Sequence, residues 1–190
     1  MGKGRLEAFS DGVVAILITI MVLELRIPRG QNIEALRPLV PILLSYVYLG
    51  IYWNNHHHML HAVHEVTGAI LWANLHLLFW LSLVPFVTGW MGSNHFAPVP
   101  CALYGTVIFM AAIAYFILQQ VIIASQGPGS LLKKAVGRDW KGKVSPVMYA
   151  VAIPAAFASA WISLGLYVAV ALIWLVPDRR IEKILSAKNE

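Results

Sequence analysis

The sequence predicts an all-α integral membrane protein with six transmembrane helices per chain and both termini on the cytoplasmic side. Three observations predict it. The 190 residues are 59% hydrophobic and only 12% charged, with a mean hydropathy of +0.70. Ordinary soluble domains carry about a quarter charged residues, so too little polar surface is present here to cover a water-facing globule. The apolar residues fall into long runs, near the roughly 20 helical residues needed to cross a hydrocarbon core of about 30 Å. The Lys and Arg residues gather between the runs, most of them on one side.

The first helix spans about 8–26 and is ended by Arg26, Pro28, Arg29 and Gly30. The second, about 38–60, opens with Pro38 and closes in NNHHHMLH. The third covers about 69–90, from beside Gly68 through LFWLSLVPFVTGW, and the fourth about 99–124, followed by the loop QGPGSLLKKAVGRDWKGK. The last apolar block, 146–177, reads as one long helix or two short ones. One helix over that block would measure about 48 Å at about 1.5 Å per residue, too long for the hydrocarbon. Pro154 and the ASAWIS stretch offer places to break it, giving helices over about 145–159 and 161–177.

Charge supports the division independently. With six helices, one side collects Lys3, Arg5, Lys133, Lys134, Arg138, Lys141, Lys143, Arg179, Arg180, Lys183 and Lys188, and the other only Arg26, Arg29 and Arg37. With five helices the split is even and carries no topological signal, so the excess of basic residues on the cytoplasmic side selects six. The whole chain, 1–190, reads as a single six-helix membrane domain without internal repeat or soluble module.

The formal charge of +5 does not indicate nucleic acid, because the basic residues sit in short connecting segments and form no amphipathic face. The single cysteine, Cys101, excludes an intrachain disulfide. The start MGKGRLEAF lacks the short apolar core of a removable signal peptide, and Leu6 stands where myristoylation expects Ser or Thr.

In this topology the strongest polar groups recur at one depth near the cytoplasm. They are Arg5, Ser10 and Asp11 on the first helix, Asn54 to His58 on the second, Asn74 and His76 on the third, and Gln119 and Gln120 on the fourth. A carboxylate at membrane depth is costly and faces the bundle interior or water with a partner. Arg5, a histidine of the triple run or Asn74 are the candidates for Asp11; the plain alternative is a headgroup position facing water. His57, His61 and His64 share a helix face at spacings that suit imidazole ligation. The absence of HExxH and of nearby cysteine favours solvated or hydrogen-bonded histidines, so no metal site is expected. Beyond Asp11, Ile16, Thr19, Ile20, Leu23 and Ile27 follow the 3, 4 and 7 spacing of one helical face. Such a stripe serves ordinary packing or, alternatively, hydrophobic rings that close a pore by dewetting; spacing does not choose between them.

The segment RLEAFSD resembles the RxxxFSD signature of the transmembrane protein 175 family, potassium channels of lysosomes and prokaryotes. IYWNNHHHML resembles the family's Trp-x-x-His-His segment, WANLHLLFWLSLVPFVTGW its Asn-bearing third helix, and LIWLVPDRRIEK its C-terminal close. ASAW stands where a proline is expected before the tryptophan.

The resemblance implies a homotetramer in the inner (plasma) membrane of a prokaryote, with the first helix of each subunit lining a central pore. It implies a potassium-selective cation channel of modest selectivity, with neither the TVGYG filter nor any cofactor beyond the permeating ions. By position it makes Ile16 the main hydrophobic constriction, with Thr19, Ile20 and Leu23 at the next pore-facing levels. Arg5, Phe9, Ser10 and Asp11 match the signature, with His56 or His57 and Asn74 as packing partners. The alternative is a proton-coupled transporter or proton-permeable channel that uses the layer of Asp11 and histidines. No nucleophile–base pattern suggests an enzyme, so no catalytic residues are assigned.

Overall fold

The computed structural model describes residues 2–25, 27, 31–127, 130, 132–133 and 140–175. Seven α-helices run through them: α1 (Lys3–Leu23), α2 (Leu39–His61), α3 (Gly68–Ser82), α4 (Val84–Ser93), α5 (Pro98–Gln126), α6 (Trp140–Ala158) and α7 (Ala160–Leu175). A 3-10 turn, Ile33–Leu36, leads into α2. Four stretches are long and apolar enough to cross a membrane: 3–23, 33–61, 68–93 and 98–126; α7 is a shorter apolar helix. The basic residues Arg26, Arg29, Lys134 and Arg138, and most of the C-terminal stretch LIWLVPDRRIEK, lie outside the described residues.

Local chemistry sets the helix ends. Thr67 caps α3, its hydroxyl oxygen accepting from the Ile70 N–H at 3.3 Å. The third apolar run, expected over 69–90, is divided at Leu83, two residues before Pro85. Proline has no N–H to donate, so the helical ladder loses one bond there. Prolines in the first turn of α5 are tolerated because those N–H groups have no helical partner anyway. The turn before α5 holds His95 and Phe96 at φ of 51° and 61°, an uncommon backbone for residues with side chains. Phe96 is held there by burial and by stacking on Trp161 at 5.7 Å.

The last apolar block folds back on itself. Trp174, near the end of α7, donates its indole N–H to Ser145 Oγ near the start of α6 at 2.7 Å, and the Tyr149 and Tyr167 rings lie 6.4 Å apart. Only an antiparallel hairpin turning at Ser159 brings both pairs together. α6 begins at Trp140, a turn earlier than the sequence suggests, so Lys141 and Lys143 are helical.

Helix α5 is the centre of the bundle, packed against α3, α4, α6 and α7. Its buried face, which includes Tyr104, Ile108, Ala111, Ala114, Leu118 and Ile122, is fully or almost fully enclosed. The alanines let neighbouring helices approach closely. A tyrosine network crosses this centre. Ser45 Oγ lies 2.7 Å from Thr88 Oγ1 and donates to the Tyr104 hydroxyl at 3.1 Å. Tyr149 donates to the Tyr48 hydroxyl at 3.2 Å, Tyr48 to the Tyr167 carbonyl at 2.6 Å, and Tyr167 to the Cys101 carbonyl at 3.0 Å. Gly105 makes room for the last bond: a Cβ at that position would sit 2.0 Å from the Tyr167 hydroxyl.

Candidate functional site

Helix α1 has one face packed and one face bare. Leu6, Ser10, Val14, Leu17 and Met21 are buried against α2, α3 and α4. On the opposite side Ile16 is 58% exposed, Ile20 36% and Leu23 82%, and Thr19 is exposed as well; α1 ends at Leu23, short of the expected 26, so Ile27 lies beyond the helix and not on its face. The exposed series continues toward the N-terminus through Gly12, Phe9 and Arg5 at the same helical spacing. The stripe therefore runs the length of the helix, and two residues of the FSD signature region belong to it.

The packed face is fixed by a chain of side-chain hydrogen bonds across three helices. Ser10 Oγ donates to the Leu6 carbonyl of its own helix at 2.9 Å and accepts from Asn74 Nδ2 on α3 at 3.0 Å. Asn74 Oδ1 lies 2.7 Å from His56 Nε2 on α2. With the amide nitrogen committed to Ser10, Asn74 Oδ1 is an acceptor and His56 carries its proton on Nε2. All three side chains are at most 2% exposed, so in this dry setting each satisfied bond is worth more than in water and each orphaned group costs more.

Asp11 stands beside the clamp. Its Oδ1 accepts the indole N–H of Trp53 on α2 at 3.0 Å. Among the candidate partners named from sequence, Asn74 is engaged with Ser10 and His56, Arg5 forms no ion pair among the described residues, and the His57 ring packs on Trp53, His58 and His61. Trp53 takes the position because it lies one turn before His57 on α2 and points its only donor at the α1–α2 contact. The WNNHHH string contained that signal, since a membrane-depth tryptophan with a polar edge seeks an acceptor.

The N-terminal end of the bundle is closed by further polar contacts. Lys3 Nζ donates to the His61 carbonyl at 2.5 Å, and Glu7 Oε1 lies 3.9 Å from both Lys3 Nζ and His61 Nδ1. Gln126 donates its side-chain amide to the Ala62 carbonyl. The remaining members of the expected polar layer separate: Gln119 is buried, Gln120 is exposed, and His76 accepts from Trp80 Nε1 one turn along α3. Thr19 donates its hydroxyl proton to the Ile16 carbonyl at 2.7 Å, which leaves the oxygen lone pairs on the bare face.

Residues 5–85, from the signature arginine through α3, match the family described as the endosomal/lysosomal potassium channel TMEM175. A potassium channel of Chryseobacterium sp. (strain P1-3) is 54% identical over 190 residues, covering 98% of this chain and 99% of the relative. The chain belongs to the TMEM175 potassium-channel family. A second relative, a potassium channel of Chamaesiphon minutus, is 30% identical over 89% of this chain and 91% of its own length. Among solved structures, the chain superimposes with a TM-score of 0.77 on a lysosomal potassium-selective channel TMEM175 homolog from Chamaesiphon minutus, at 26% identity, covering 93% of this chain and 97% of that one. The all-helical, membrane-type fold is thus that of a TMEM175 channel, and the relatives are bacterial.

Proposed function

We propose that four copies of this chain assemble around a central axis in a prokaryotic inner membrane as a potassium channel of modest selectivity, with α1 lining the pore and Ile16 as its constriction. The observation that carries the reading is the division of α1. A helix of membrane-spanning length leaves a stripe uncovered along its length, apolar from Phe9 to Leu23 except for Thr19, while its reverse face is hydrogen-bonded into the subunit. A bare face on a helix so firmly oriented suits a shared axis, where Ile16 side chains from four subunits would close the path to water by dewetting.

In this assembly Thr19, Ile20 and Leu23 form the levels beyond Ile16. The Thr19 oxygens, their protons committed to Ile16 carbonyls, offer lone pairs to a partly dehydrated cation. Apolar rings and four hydroxyl oxygens discriminate by the cost of deforming the hydration shell, which favours potassium over sodium without the precision of a carbonyl cage. The Ser10–Asn74–His56 clamp acts as an orientation device and Asp11, held by Trp53, supports it; Arg5 and Phe9 stand at the pore's cytoplasmic entrance. Each subunit crosses six times, with α3 and α4 forming one span and the α6–α7 hairpin the last two. At about 1.5 Å per residue α6 and α7 reach roughly 28 and 24 Å, which a modest local thinning of the bilayer accommodates. A proton carrier built on the Asp11 and histidine layer finds less support, because Asp11 is engaged with Trp53 and His56 with Asn74, leaving no hydrogen-bonded relay between them.

The test is electrical. In reconstituted bilayers Ile16→Asn is expected to raise the single-channel or macroscopic current severalfold, and reversal potentials in mixed potassium and sodium are expected to show potassium preference. Currents unchanged by Ile16→Asn and Ile16→Cys overturn the constriction.

A further inference from the structure

Away from α1, a cavity of about 50 Å³ lies between α2, α5, α6 and α7 toward the N-terminal end of the bundle. Its walls are the rings of Tyr52, Tyr115, Phe116 and Trp174, with Asn55, Gln119 and Ser145 among them. The polar groups differ in their commitments. Ser145 Oγ donates to the Lys141 carbonyl and accepts from Trp174, so it is satisfied. Asn55, which also lines the cavity, spends its Nδ2 on the Ile51 carbonyl, and its Oδ1 makes no hydrogen bond among the described residues. Gln119 is 5% exposed, lines the cavity, and makes no side-chain hydrogen bond among the described residues. A buried amide without a partner is destabilising, and an apolar side chain of the same length would avoid that cost.

We infer that this cavity is a binding site for an uncharged single-chain amphiphile drawn from the bilayer, a primary alkanol being the simplest example. The hydroxyl head would sit on Gln119 and Asn55, and the alkyl body would leave past Phe116. No acidic or basic side chain is among the described wall residues, and Lys141, the nearest cation named, lies over the Trp174 ring at 5.9 Å, so a charged head would be poorly matched there. Gln119 offers both a donor and an acceptor, which match a hydroxyl that both accepts and donates. The volume admits a head and little more: it corresponds to roughly three to five water positions at about 10–15 Å³ each. Phe116 is 52% exposed on the outer surface of the subunit, and its ring is the wall beside which a chain passes into the surrounding apolar medium. Asn55 directly precedes His56, so an occupied cavity adjoins the clamp that orients α1.

A photoreactive octanol carrying a diazirine on its chain tests the site on the full-length protein in phosphatidylcholine vesicles, with labelled residues mapped by mass spectrometry. Saturable labelling within the Tyr115–Gln119 segment is expected, competed by excess 1-octanol and not by octane or octanoate. Gln119→Met, close to isosteric, is expected to cut that labelling about fivefold, the loss of a typical hydrogen bond, while its melting temperature equals or exceeds that of the parent. Ala112→Leu, which fills the cavity from α5, is expected to abolish the labelling. Labelling that octane competes equally, or that Gln119→Met leaves unchanged, identifies bilayer partition alone and overturns the proposal; so does the absence of label from the cavity when lipid-facing residues such as Trp72 are labelled. The readout uses no ion current, so it stands or falls separately from the channel assignment.

Discussion

The molecule contains two buried polar networks that constrain different things. At the N-terminal end, three short side chains, Ser10, Asn74 and His56, hand one hydrogen bond to the next and bind α1 to α3 and α2. In the centre, long tyrosine side chains reach across α2, α5, α6 and α7 and finish on backbone carbonyls of Tyr167 and Cys101. The first network fixes the rotation of a helix whose other face is bare; the second ties together helices that are covered on several sides. The same kind of bond thus specifies orientation in one place and cohesion in the other, because what matters is how many other contacts the tethered helix makes.

Four substitutions break or sharpen that contrast. The largest effect belongs to Gly105→Ala, whose Cβ collides with the Tyr167 hydroxyl. Overpacking of this kind costs about 1–3 kcal/mol, and the upper end is expected because the hydroxyl is anchored on Cys101. Thermal melting of the solubilised protein checks it, and Gly105→Ala combined with Tyr167→Phe should recover part of the loss. Asn74→Leu comes next. It strips His56 Nε2–H of its acceptor, at about 1–3 kcal/mol for a buried orphaned group, and it frees the rotation of α1. Both melting temperature and current or reversal potential should change.

Tyr149→Phe is the matched control, losing one neutral bond worth about 0.5–1.5 kcal/mol while Tyr48 keeps its acceptor on Tyr167. Melting temperature should fall and reversal potential stay put; equal effects of Tyr149→Phe and Asn74→Leu on conduction would erase the distinction between the networks. Trp53→Phe removes the donor to a half-buried Asp11 at a partly exposed contact, so the stability change should be the smallest, under about 1 kcal/mol.

The apolar helices were legible in the sequence because a bilayer-length apolar run has few alternatives, and the length of the last block and the charge distribution argued against one long terminal helix; of the two candidate breaks, the ASAWIS stretch holds the turn at Ser159, whereas Pro154 lies inside α6. The division at Leu83 was less legible, since the break shows only in the ladder bond missing at Pro85. Within the site, Ile16, Thr19, Ile20, Leu23 and Ile27 shared a face by spacing alone, yet spacing is blind to whether that face is covered. Asp11 demanded a partner, but Trp53 could be chosen over Arg5 or His57 only once the crossing of α1 and α2 placed its indole edge. The tyrosine network left no pattern at all: Tyr48, Tyr104, Tyr149 and Tyr167 look like ordinary aromatics in apolar runs, and their pairing depends on which helices become neighbours.

By itself, then, the order of residues determined that the chain is helical, roughly where its apolar helices lie, and which side chains share a helical face, because these follow from local periodicity and transfer of apolar surface out of water. Which face of α1 is sealed and which is bare, which donor meets Asp11, and that Gln119 lines a cavity without a hydrogen bond from the described residues were decided only in the tertiary structure. Those outcomes depend on distances between residues far apart in the chain, and such distances exist only after the helices have packed.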